Sequence, residues 1–514
     1  MSSTTTSTVA KRDLYWIMSA LMLGMLLAAL DSTIVSTALP TIVGDLHGSS
    51  HLSWVVVAYL LASTVSTPLW GKLGDLHGRK VYFQGAIVLF LAGSILCGFA
   101  TSMITLIVFR AIQGLGGGGL MVGAQAIIAD VVPPRERGKY SGLFGAVFGA
   151  ATVLGPLLGG FIVEYWSWRW IFFVNIPFGA IALVVTATAL PNAATRVKHV
   201  IDYAGFFLLT LASTALILFT SLGGSSWAWG SPQSLGLLIG GVLLTVAFVM
   251  VERRSVEPVL APRLFSNRVF SSASAIGFVV GFAMFGALTF LPLYFQDVRG
   301  VSPTNSGLRL LPMMVGLFGA SIIVGQLVAK GKKYRPFPIF GTGIMTVGLG
   351  LLGTIGVATS SLLTALYMLV LGVGIGMVMQ ILITAVQNAV DMSDVGAATA
   401  GANFFRSIGG SFGTAVFGAL FTNELAHKFH AYASHGSLPS FSSMTPAQLR
   451  RLPSSTLVFI REALSQSISS IYLWAIPVGL LALVLSLTLP EIRLRSSIHH
   501  GADQGAEVPS EPLL

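Results

Sequence analysis

LYWIMSALMLGMLLAALDSTIVSTA, residues 14–38, is one apolar run that carries a single carboxylate, Asp31, two-thirds of the way along. A hydrocarbon layer about 30 Å thick is crossed by about 20 helical residues, so the run predicts a membrane-spanning helix. An acid at that depth costs about 2.5 to 3.5 kcal/mol on insertion scales and persists where it meets a partner charge, a cavity or a proton path. The rest of the chain has to supply that partner.

The 514 residues are 54% hydrophobic and 9% charged, with a mean hydropathy of +0.82, which excludes a soluble domain. Apolar stretches of spanning length follow one another to about residue 490, whereas a membrane barrel would need short alternating segments. Only a helix or a closed barrel satisfies its own backbone in lipid, so the fold class is all-α, a polytopic membrane protein of about fourteen helices. The net charge of +10 is spread over short loops rather than gathered in a patch, so no nucleic-acid partner is expected. Lys72, Arg79, Lys80, Arg135, Arg137, Arg253, Arg254, Lys332 and Lys333 fall on loops of one face, predicting both termini in the cytoplasm. The one cysteine, Cys97, excludes a disulfide framework.

Among the 19 acidic residues Asp31 alone lies well within a span, while Asp75, Asp130, Glu164 and Asp297 lie at span ends. Arg110, in the fourth span, and Asp31 each lie about 10 Å from the outer end of their helix, which puts opposite charges at matching depth. Two readings stay open: a structural ion pair, or a pair facing a wet cavity and switched by a proton. Gln113, one turn further in, extends the polar path.

Gly71-Lys-Leu-Gly-Asp-Leu-His-Gly-Arg-Lys80 joins the second and third spans, with Asp75 placed to cap the next helix or to pair with arginine. A degenerate echo, Gly325-Gln-Leu-Val-Ala-Lys-Gly-Lys-Lys333, has Ala329 in place of that acid and is the trace expected of a duplicated half. Gly114-Leu-Gly-Gly-Gly-Gly119 matches a dinucleotide fingerprint by its letters, but no strand precedes it, and close helix packing is the better reading. No Walker A or zincin pattern occurs, His427, His430 and His435 read as solvated rather than metal-binding, and no cofactor is expected.

The Gly71–Lys80 loop, with Asp75, Gly78, Arg79 and Lys80 in register, resembles the signature loop of the major facilitator superfamily. Arg110-Ala-Ile-Gln-Gly114 is similar to the superfamily's helix-four motif, associated with proton coupling. Gly145, Gly149 and Gly155-Pro-Leu-Leu-Gly-Gly160 resemble its antiporter motif. Leu30–Pro40, Trp168–Pro177 and Leu291–Gln296 are similar to the fourteen-helix drug:proton antiporter branch, the EmrB/QacA type. Ser36 and Leu76 depart from that branch, and the tenth and thirteenth spans lack the carboxylates that some members use for cationic drugs.

The resemblance implies two six-helix bundles, residues 14–190 and 265–490. Between them, residues 191–264 hold two intervening helices, and 1–13 and 491–514 are cytoplasmic tails. A long external loop is expected at about 423–467. It implies a monomeric, proton-coupled antiporter of the cytoplasmic membrane that exports lipophilic or amphipathic drugs by alternating access, with membrane lipids around it. Asp31, Arg110 and Gln113 would couple protons, Gly71, Asp75, Gly78, Arg79 and Lys80 would govern conformation, and Gly149, Gly155, Pro156, Gly159 and Gly160 would form the antiporter helix. Phe148, Phe282, Phe285, Met313, Met314, Phe404, Phe405 and Arg406 are candidates for the substrate cavity. A lipid, siderophore or endogenous metabolite is an alternative cargo, and a membrane sensor or scaffold an alternative function.

Overall fold

The structure, a computed structural model, describes residues 11–46, 52–190, 202–223, 227–255, 257–433 and 454–492. The first half contains α1 (Lys11–Leu46), α2 (Leu52–His77), α3 (Arg79–Gly98), α4 (Met103–Val131), α5 (Pro134–Tyr165), α6 (Trp170–Phe173) and α7 (Asn175–Ala189). Between the halves lie α8 (Tyr203–Leu222) and α9 (Pro232–Glu252). The second half contains α10 (Pro262–Ser266), α11 (Arg268–Leu293), α12 (Pro303–Arg309), α13 (Leu311–Ala329), α14 (Pro336–Leu352), α15 (Ser361–Ala389), α16 (Val395–Ala433) and α17 (Ser454–Leu487). No strand occurs among the described residues.

Helix starts follow local chemistry. Ser102 and Thr105 form a capping box at α4, Asn267 accepts from the amides of Val269 and Phe270 at α11, and proline stands in the first turn of α5, α9, α12 and α14. Twelve helices among the described residues are long and apolar enough to cross a membrane. Of the remaining expected spans, α14 is apolar but shorter, at 17 residues, and α5, at 32, opens on a charged turn.

Three expectations need correcting. The predicted sixth span is broken at Val174 into α6 and α7, and the tenth is broken at Leu310 into α12 and α13. The external loop expected at 423–467 is shorter, because α16 continues to Ala433 and α17 starts at Ser454; residues 434–453 lie outside the described residues.

The halves repeat one packing scheme. Helix α4 lies against α2 and α3 as α15 lies against α13 and α14, and α1 packs on α5 and α7 as α11 packs on α16 and α17. The halves meet where α5 crosses α13 and α2 crosses α16, and α8 leans on α2 and α16 at that joint. In the first half the apolar core is divided into two main clusters, one around Met25, Phe83 and Phe90 and one around Ile34, Leu106 and Phe172. The layer between them is polar, and Asp31 is in it.

Candidate functional site

Asp31 is fully buried on α1, and its two oxygens are held by three side chains from other helices. Arg110 on α4 donates from Nη1 to Oδ2 at 2.5 Å. Gln113, one turn along α4, donates from Nε2 to Oδ1 at 2.8 Å, and its own Oε1 accepts from Arg110 Nη1 at 2.8 Å. Asn175 reaches Oδ1 from α7 at 3.3 Å and donates to Ser94 Oγ on α3 at 3.0 Å. Arg110 is itself 1% exposed, gives Nε–H to the carbonyl of Val55 at 3.3 Å, and lies 4.3 Å from the centre of the Tyr59 ring. The network therefore ties α1, α2, α3, α4 and α7 together through one neutral ion pair.

Glycine lets these helices come close enough. A side chain on Gly93 would run into the backbone of Gln113, and one on Gly114 would strike the carbonyl of Tyr59. The rest of the run to Gly119 abuts α2 and α3 in the same way, which identifies it as a packing surface. In this conformation both members of the pair are buried within the first half, Asp31 at 0% and Arg110 at 1% exposure.

The second polar centre lies where α2 turns into α3 at Gly78; residues Gly71 to His77, expected in a joining loop, are the last turns of α2. Gly78, at φ 100°, makes the turn that a side chain would strain. Asp75 pairs with Arg79 at 2.9 Å, and Arg79 also meets Asp130 at 2.8 Å and the carbonyl of Ala126. Asp75 caps a helix, but not the following one: its oxygens accept from the amides of Gly396 (3.0 Å) and Ala397 (2.8 Å) at the start of α16, in the other half. Gly71 packs against Gly396 and Ala400, leaving no room for a side chain. Lys80 donates to the carbonyls of Ala187 and Leu190, both at 2.7 Å, and so closes the end of α7.

A third contact joins the halves beside this loop. Asn403 Nδ2 donates to Gln125 Oε1 at 2.6 Å, and Gln387 Nε2 donates to the Gln125 carbonyl at 3.2 Å. The two halves are thus latched at the Asp75 end by the carboxylate cap and the amide contacts together.

The family model described as Major Facilitator Superfamily matches residues 21–414, across both halves and both polar centres. The chain belongs to the major facilitator superfamily. An MFS-type transporter of Mycobacterium tuberculosis is 46% identical over 95% of this chain and 71% of its own length. The multidrug transporter protein MdtP of Bacillus subtilis is 39% identical over 86% of this chain and 81% of its own. The proton:xylose symporter XylE shares the fold at a TM-score of 0.61 and 17% identity, covering 94% of this chain and 97% of that one. The protein is a membrane transporter of small molecules rather than an enzyme, sensor or scaffold.

The glycines of α5 that the resemblance assigned to the antiporter motif lie on a helix packed against α1. A side chain on Gly155 would collide with Thr33, whose hydroxyl donates to the Ala151 carbonyl at 3.0 Å. Gly159 is buried, whereas a side chain on Gly160 would meet open space. Phe148, Gly149 and Pro156 lie outside the described side chains.

The cavity candidates separate. Met313 is fully buried and Phe404 5% exposed in the core of the second half, so neither lines an opening in this conformation. Met314 and Phe282 are partly buried, with Phe282 against the Phe417 ring at 5.4 Å, and Phe285 covers Gly410. Phe405 touches Phe404 and Phe265, and Arg406 is half-buried beside Gly281. No group able to hold a metal occurs among the described residues. Sequence reasoning passed over Asn175, Ser94, Tyr59, Gln125 and Asn403. The signal for Asn175 was a lone amide in the apolar stretch Trp168–Pro177.

Proposed function

We propose that the protein is a proton-coupled antiporter that exports lipophilic or amphipathic compounds across the cytoplasmic membrane, with the Asp75 end toward the cytoplasm. The observation that carries this reading is the buried Asp31–Arg110 pair, the one acid deep in a span held by the one cation at its depth. Protonating Asp31 removes the negative partner and leaves the Arg110 guanidinium uncompensated in a low-dielectric site, a state that favours repacking around the first half. A proton moving inward releases about 2.3 kcal/mol per 100 mV, and export is driven if proton and substrate occupy the transporter alternately.

Because Asp31 is sealed here, proton entry requires the conformational change itself, which is how coupling avoids a leak. The latch at Asp75 holds one end shut, and its release opens the other state. Two bacterial relatives, the multidrug transporter MdtP and multidrug resistance protein 3 of Bacillus subtilis, at 39% and 35% identity, support drugs as cargo. Reconstituted protein should drive uphill export of a lipophilic dye under an imposed proton gradient and release protons when substrate is added. Full uphill transport by Asp31→Asn would overturn the assignment of the proton site.

A further inference from the structure

Arg406 is a cation deep in α16 that no acidic side chain among the described residues offsets. It sits on α16 about 17 Å from Val395 along the axis, at 1.5 Å per residue. It makes no ion pair and no hydrogen bond among the described residues, whereas Arg79, Arg110, Arg169 and Arg263 each pair with an aspartate. The sequence has no acidic residue from Asp297 to Asp391, nor from Asp394 to Glu424. Asp394 is taken by Arg263 at 2.9 Å, and Asp31 is saturated within the first half.

The surroundings of Arg406 have the character of a binding site. Its stem rests on α11 where there are two glycines: a β-carbon on Gly281 would stand 3.1 Å from Arg406 Cγ, and one on Gly277 would stand 3.9 Å from its Cβ. Phe278 and Phe282, on the same helix, make a tilted contact with Phe412 at 6.3 Å and an edge-to-face contact with Phe417 at 5.4 Å, and Phe405 precedes Arg406 on α16. A guanidinium keeps its proton in proteins, so its charge persists whatever the conformation. A charge placed in a span without a partner is a functional feature rather than a packing one.

We infer that Arg406 is the recognition point for the anionic group of an amphipathic substrate, a carboxylate or sulfonate joined to an aromatic or alkyl body. The oxygens would take the planar donor fork of the guanidinium and the body would lie on the phenylalanines of α11 and α16. This deepens the exporter reading and rests on it for the direction of transport. It also fits the lack of any acidic residue from Val298 to Val390 and from Val395 to Asn423, where a cationic substrate would need one. Exchange of an inward proton for an outward anion carries positive charge inward in both moves, so membrane potential drives it.

The test uses 2-naphthoate and its uncharged analogue 2-naphthamide, titrated calorimetrically against purified full-length protein in nanodiscs of zwitterionic lipid. The wild type should bind naphthoate at least about tenfold more tightly than naphthamide. Arg406→Gln should erase that preference while leaving naphthamide affinity within about twofold, and Arg406→Lys should keep part of it. Equal affinities in the wild type, a preference that survives Arg406→Gln, or no saturable naphthoate binding overturns the inference. Collapse of naphthoate affinity when phosphatidylglycerol is added would assign the guanidinium to lipid and overturn it as well. Charge-selective binding without uphill transport in proteoliposomes would count against the exporter reading and leave this site standing.

Discussion

Arg110 Nη1 stands 2.5 Å from Asp31 Oδ2, and both side chains are closed off from solvent. Removing one partner of such a pair strands the other charge and typically costs about 3 to 5 kcal/mol. Asp31→Ala is therefore expected to lower thermal stability clearly in detergent. Asp31→Asn, which keeps the shape and can still accept from Gln113, should fold but lose proton-driven accumulation while retaining downhill exchange. Thermal unfolding and paired uphill and downhill flux measurements check both. Equal uphill loss in Glu164→Gln, a variant at an exposed carboxylate outside both polar centres, would point to a general folding defect.

Asn403 and Gln125 touch across the joint between the halves at 2.6 Å, so the contact has to open in the opposite-facing state. In a Cys97→Ala background, Gln125→Cys with Asn403→Cys should be cross-linked by a short bifunctional methanethiosulfonate. Cross-linking should stop transport, and reduction should restore it. Transport that continues through the cross-link would mean that this end does not open during turnover.

Asp75 holds the α16 N-terminus by two amides as well as pairing with Arg79, so Asp75→Ala removes a cap and one of the two carboxylates that hold Arg79. Loss of a cap costs about 0.5 to 2 kcal/mol, enough to shift a two-state equilibrium severalfold. Cysteines placed along α2 and α16 near this loop should label faster in Asp75→Ala than in the parent, and substrate should bind with altered affinity. Unchanged labelling would assign the latch to the Gln125–Asn403 contact instead.

Much of this was legible in the chain because it depends on depth and periodicity. Asp31 and Arg110 lie equally far from the outer ends of the spans expected from hydropathy, and although α1 runs on to Leu46, beyond the expected end at residue 38, the two side chains do meet. The capping target of Asp75 was not legible: its partners, Gly396 and Ala397, are more than 300 residues away and meet it only once the halves dock. Asn175 was missed because its reach to Asp31 depends on the break at Val174, inside a stretch whose hydropathy reads as one continuous span. Met313 was taken for a cavity residue because an apolar helix carries no mark of which face is core, and the close approach of α15 at Gly372 places Met313 inside.

Gly155 and Gly160 of α5 are not equivalent, and the difference can be measured. Thr33 lies two residues beyond Asp31 on α1, and a β-carbon at Gly155 would stand 2.6 Å from its Cβ, while one at Gly160 meets nothing within 4 Å. Overpacking a tight helix contact usually costs about 1 to 3 kcal/mol, and here it would also push α1, and with it Asp31, away from α5. Gly155→Ala should therefore reduce both stability and transport. Gly160→Ala should leave transport intact and stabilise by up to about 1 kcal/mol, since alanine loses less backbone freedom in a helix. Thr33→Gly combined with Gly155→Ala removes the clashing side chain and should recover part of the activity, at the cost of a second helix glycine. If Gly155→Ala and Gly160→Ala behave alike, the glycines of α5 act through the helix as a whole rather than through the contact with Thr33.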